Sequence, residues 1–121
     1  MRVLLIEPNK IPRPRNIADT LKAMPHIVDG PIQAVYPFDD PVALICNEEA
    51  KLEGLPPNRA LRDEDGNMYD IVCGTFFLCS APPDSENFES LTEEQMERYA
   101  KRFQHPEAFL RVNGEIVAVP V

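Results

Sequence analysis

The chain has 121 residues, enough for one domain (1–121) with its own core and without disulfide or metal staples. Its 12 basic and 20 acidic residues give a net charge of −8, concentrated in residues 36–95, where 14 acids face three bases. That acidic middle repels phosphate backbones, which argues against direct nucleic-acid binding and is compatible with a basic protein partner.

Proline is the compositional outlier, at 13 of 121 residues against a usual share of roughly 5%. Each proline fixes φ and removes a donor, so the elements should be short and the turns well defined. "RVLLIEP" reads as a buried strand stopped by Pro8, and "PRPRNIA" as a strand at a sheet edge, where proline is tolerated. "DTLKAMPHIV" places Leu21, Met24, Ile27 and Val28 at helical spacing, with Asp19 or Thr20 as the N-cap and Pro25 required to sit in the first turn. "IQAVYPF" and "VALICN" predict an antiparallel pair joined by the Asp39-Asp40-Pro41 turn. "NEEAK" predicts another reversal, with Leu52 and Leu55 returning to the core.

"RALRD" and "NMYDIVCGTFFLCSA" flank an Asp65-Gly66 step and predict a hairpin with one long arm, in which Gly74 marks a bulge or a close backbone approach. "LTEEQMERYAKRF" carries the strongest local signal. Thr92 and Gln95 form a capping box, Leu91 and Met96 a hydrophobic staple, and Met96, Tyr99, Ala100 and Phe103 one apolar stripe. His105 follows as a C-terminal capping residue before Pro106, and "FLRVNGEIVAVPV" predicts a last hairpin on Asn113-Gly114. Helices do not alternate with strands, so the fold class is α+β: a mostly antiparallel sheet of short strands and hairpins with about two helices.

Cys46, Cys73 and Cys79 lie in apolar runs without CxxC spacing, and His26 and His105 lie in other segments. The pattern predicts buried reduced thiols in a cytoplasmic protein, with no metal site, no cofactor and no thiol nucleophile. Asp39-Asp40, Glu48-Glu49 and Asp63-Glu64-Asp65 read as solvated turn acids without EF-hand spacing. No stretch is long and apolar enough for a signal peptide or a membrane span.

"CNEEAKLEGLPPNR", residues 46–59, is the unusual segment. Asn47 suits a turn, Glu48, Glu49 and Lys51 form an exposed tip, and two prolines stiffen the exit. Arg59 is expected to reach back as a planar fork to Glu48, Glu49 or Asp63. Asn47, Glu48, Glu49, Asn58 and Arg59 are therefore the candidate binding residues; no residue qualifies as catalytic.

The stretch from "YPFDDPVALICNEEAKLEGLPPNR" to the closing "NGEIVAVP" resembles the domain of unknown function 3846 family, small proteins of bacteria, phages and mobile elements. The resemblance implies an accessory role and brings no cofactor or catalytic residue with it. Two functions follow: a non-enzymatic accessory protein that binds another protein, or a small enzyme or anionic-ligand-binding domain using residues 47–59. In the second, Arg59 would hold the anion and Glu48 or Glu49 would move the proton.

Overall fold

The computed structural model describes residues 1–121. Nine strands and two helices run in the order β1 (Arg2–Ile6), β2 (Arg13–Asn16), α1 (Met24–Val28), β3 (Ile32–Val35), β4 (Val42–Asn47), β5 (Pro57–Arg62), β6 (Met68–Cys73), β7 (Phe76–Ser80), α2 (Glu93–Arg102), β8 (Glu107–Val112) and β9 (Glu115–Pro120). The fold is α+β with mainly antiparallel sheet. Five strands form the central sheet in the order β2-β1-β7-β4-β3, every neighbouring pair antiparallel. β5–β6 and β8–β9 are separate two-stranded hairpins.

Both faces of the central sheet are covered, which explains why β1, β4 and β7 read as continuous apolar runs rather than as alternation. The two-residue period of a strand divides their side chains between two cores. Leu4, Ile6, Leu44, Cys46, Phe76 and Leu78 meet Leu61 and Val72 of the β5–β6 hairpin and Leu91, Met96, Tyr99 and Phe103 of the α2 region. Val3, Leu5, Ala43, Ile45, Phe77 and Cys79 meet Met24 and Val28 of α1 on the other side. The proline-bearing β2 lies at the sheet edge, as its sequence requires.

α1 is shorter than its pattern. Pro25 sits in its first turn, so the helix begins only at Met24, with Ala23 at the N-cap and no side-chain cap. Thr20 Oγ1 instead accepts the Ala23 N–H in the preceding turn, at 3.3 Å. Leu21, expected on the apolar face, precedes the helix and is exposed. α2 follows its pattern closely. Thr92 Oγ1 accepts the Gln95 N–H at 3.1 Å, and Gln95 Oε1 accepts the Thr92 N–H at 3.0 Å.

The long arm expected after Asp65-Gly66 is two strands in two sheets. The break is at Gly74, with φ +76°, whose N–H donates to Pro56 O at 2.7 Å. A Cβ at Gly74 would stand 2.9 Å from Leu55 Cδ1, so this corner requires glycine for both its conformation and its packing. The break also sends Cys73 and Cys79 into different surroundings. Leu55 packs at this corner, whereas Leu52 is 90% exposed on the 48–54 turn and does not return to the core.

Candidate functional site

Arg59 lies at the centre of the molecule's polar structure, although not as a surface group. It is 1% exposed. Its Nε and Nη2 donate to Phe103 O at 3.2 and 3.1 Å, and Nη2 also donates to Lys10 O at 2.7 Å. Nη1 donates to Asn58 O and Asn58 Oδ1 at 3.3 and 2.7 Å. All five guanidinium donors thus meet five acceptor contacts inside the chain. The expected pair with Glu48, Glu49 or Asp63 does not form; Arg59 instead caps the C-terminal end of α2 and ties it to the segment after β1 and to β5. Burial lowers the Arg59 pKa, and the nearby Glu107 charge opposes that shift.

Asn58 is equally buried. Its Nδ2 donates to Ile6 O at 2.9 Å and Gly74 O at 2.8 Å, joining β5 to the central sheet. Asn47 closes β4 from within. Its Nδ2 donates to Asp29 O at 3.1 Å, and its Oδ1 accepts the Glu49 N–H at 2.8 Å. Gly30 lies so close to the Asn47 amide that a Cβ has no room there. Glu48 and Glu49 are the exposed members of the five residues. The structure therefore brings Asn58 and Arg59 together, places Asn47 in a separate buried network, and leaves the two glutamates on the surface.

All three thiols are free, and their surroundings disfavour the thiolate. Burial raises the pKa of Cys46 and Cys73, and it pushes Cys79 up to about 12. Of the turn acids, Asp40 has a structural partner: its Oδ2 accepts the Tyr99 hydroxyl at 2.8 Å and also meets Arg98 Nη1. Asp63 Oδ1 accepts the N–H groups of Asp65 and Asn67, which fixes the β5–β6 turn. His105 does not cap α2; its Nε2 lies 3.0 Å from Gln104 Nε2. No helix is long and apolar enough to cross a membrane.

Two features escaped the sequence reading. One is a cleft of about 320 Å³ at the C-terminal end of α2, lined by Arg59, Arg62, Arg102, His105 and Glu107. Glu107 joins β8 to β5 there: Oε1 accepts the Ala60 N–H at 2.9 Å, and Oε2 accepts Arg62 Nη2 at 2.8 Å. The other is the outer face of the β8–β9 hairpin. The register pairs Ala108 with Val119, Leu110 with Val117 and Val112 with Glu115, and cross-strand partners share a face. Leu110 is 51%, Val112 48% and Val119 38% exposed. The alternation of Ala108, Leu110 and Val112 was readable as one apolar face; its lack of cover was not.

A family model described as "Domain of unknown function (DUF3846)" matches residues 1–104. The chain belongs to this family. No curated protein and no solved structure matches it. The DUF3846 match stops before β8, so the closing "NGEIVAVP" lies beyond the matched segment. Both core clusters lie within the DUF3846 segment, since their last members are Phe103 and Cys79. The β8–β9 hairpin follows the matched segment.

Proposed function

We propose that the protein is a non-enzymatic cytoplasmic accessory module of the phage or mobile-element type that acts by binding another protein. One observation carries this reading: the hairpin beyond the family domain turns Leu110, Val112 and Val119 outward and contributes no residue to either core. A surface of this kind, apolar and without a core to serve, supports a docking role.

The partner should present an apolar patch flanked by basic groups, since the molecule that meets it carries −8. A second copy is disfavoured as the occupant, because it would bring a further −8 to the interface. Two strands of six residues offer a face of roughly 20 by 10 Å. Stable complexes bury roughly 1,200 Å² or more, so the partner must also contact surface beyond the hairpin. Glu48 and Glu49 belong to the acidic surface that draws the partner in, and Asn47, Asn58 and Arg59 hold the frame behind it. The reading in which Arg59 itself grips an anion loses its anchor, because that side chain has no donor left to give.

The test is capture from the producing cell at low salt, followed by reconstitution from two purified proteins. Leu110→Ser with Val119→Ser should weaken the reconstituted complex by about tenfold or more, while Leu52→Ser, at a leucine even more exposed but elsewhere, should leave it intact. Equal binding by both variants, or a complex that cannot be rebuilt from purified components, would sink the proposal. A wild-type chain that sediments as a stable dimer would replace it with self-association.

A further inference from the structure

The cleft at the end of α2 holds positive charge that the fold does not use up. Arg62 gives Nη2 to Glu107 and, at 3.4 Å, to Ala118 O; its Nε and Nη1 have no partner in the chain. Arg102 makes no ion pair and no hydrogen bond. It is held instead by stacking, with its guanidinium carbon 4.9 Å from the Phe38 ring centre and 5.9 Å from that of Phe103. Stacking of this kind orients the planar fork while leaving its donors free. Arg59 adds its charge from the buried wall. Phe103 O, the α2 carbonyl that would repel an anion, already accepts two bonds from Arg59.

Against these three guanidinium groups the cleft has one carboxylate, Glu107. The local surplus is two positive charges in a molecule whose total is −8. A carboxylic acid or a sulfate ester brings one negative charge; a phosphate monoester brings about 1.5 to 2 at neutral pH, which matches the surplus. The volume, about 320 Å³, is at the small end of ligand sites, and Leu61, Phe103 and Pro120 supply apolar wall for an organic group.

We propose that this cleft binds a small organic phosphate monoester, its phosphoryl oxygens taken by Arg62 and Arg102 and its organic part resting on Leu61, Phe103 and Pro120. The site is independent of the outer hairpin face, which no part of it uses. The same phosphoryl chemistry could be carried by a phosphopeptide, but the cleft itself has room for little more than one residue of it.

The experiment is an NMR titration of the full chain with phenyl phosphate at low ionic strength, read at the amides of Ala60, residues 102–105 and Glu107. Saturation with a dissociation constant of about 1 mM or tighter is expected, with phenyl sulfate about tenfold weaker because it carries one charge less. Arg102→Gln should weaken phenyl phosphate by about fivefold or more. Arg15→Gln, the same charge change on the exposed edge strand β2, should leave it unchanged. Arg102→Lys, which keeps the charge and loses the fork, should fall between the two and guards against a folding artefact. Non-saturating shifts, equal losses in the Arg15 and Arg102 variants, or a phosphoserine peptide that saturates where phenyl phosphate does not would each overturn the assignment.

Discussion

Arg59 shows how a charged residue can be structural. A buried guanidinium without a carboxylate partner is costly to desolvate, and here the compensation comes from carbonyl oxygens rather than from an opposite charge. The acceptors come from Lys10 and Phe103, 49 and 44 residues away in sequence. That distance is why the sequence could not reveal them: a local reading offers Arg59 only the nearby acids, and no pattern marks which distant carbonyl is left unpaired at a helix end. The expected consequence is a large stability loss even for a substitution that keeps the charge. Lysine has three donors in a different geometry for the four acceptor atoms that Arg59 serves, so Arg59→Lys should leave at least one buried acceptor unpaired and cost on the order of 2 kcal/mol. Urea unfolding measures this directly; a loss under about 1 kcal/mol would mean that the network does not hold the fold together.

At the scale of elements, the outcome depended on whether the signal was local. α2 was legible residue by residue because its cap, staple and stripe all lie within 13 residues of sequence. The turns at Asp65-Gly66 and Asn113-Gly114 were legible for the same reason, with Gly66, Asn113 and Gly114 all at positive φ. The split of the long arm at Gly74 was only half legible, because the strand leaves one sheet for another at a point set by Leu55 and Pro56. The tether from α2 to the β3–β4 turn was not legible at all, since Asp40 and Tyr99 are 59 residues apart. This tether makes a pH prediction. The Tyr99 hydroxyl and Arg98 hold the Asp40 carboxyl below its ordinary pKa. A carboxyl whose folded pKa is depressed contributes stability that is present above its unfolded pKa and lost as pH falls through the folded one. The melting temperature of the wild type should therefore fall more steeply below about pH 4 than that of Asp40→Asn. Parallel acid profiles for the two proteins would show that the tether does not stabilise the fold.

In the whole molecule the buried clusters lie before the last hairpin, and this arrangement leads to the last prediction. The two clusters of buried apolar residues end at Phe103 and Cys79, and the family match ends at residue 104. The hairpin's half-buried residues, among them Ala108, Phe109, Val117 and Ala118, add satellite contacts rather than core. Its firmest links are Glu107 to the Ala60 N–H and to Arg62, and Arg62 to Ala118 O. Removing the hairpin would return those β5 groups to water, which can solvate them, so the penalty for leaving them unpaired is avoided. The Phe103 carbonyl and its bonds from Arg59 remain, because both residues lie within 1–104. A chain ending at residue 104 should accordingly unfold cooperatively, with a dispersed amide spectrum and a stability lower than that of the full chain by about 1–3 kcal/mol. A truncated chain that binds ANS and has lost its near-ultraviolet circular dichroism would instead make the hairpin an integral part of the fold. Its outward apolar face would then no longer be free of a structural duty, which is the basis on which it was assigned to a partner.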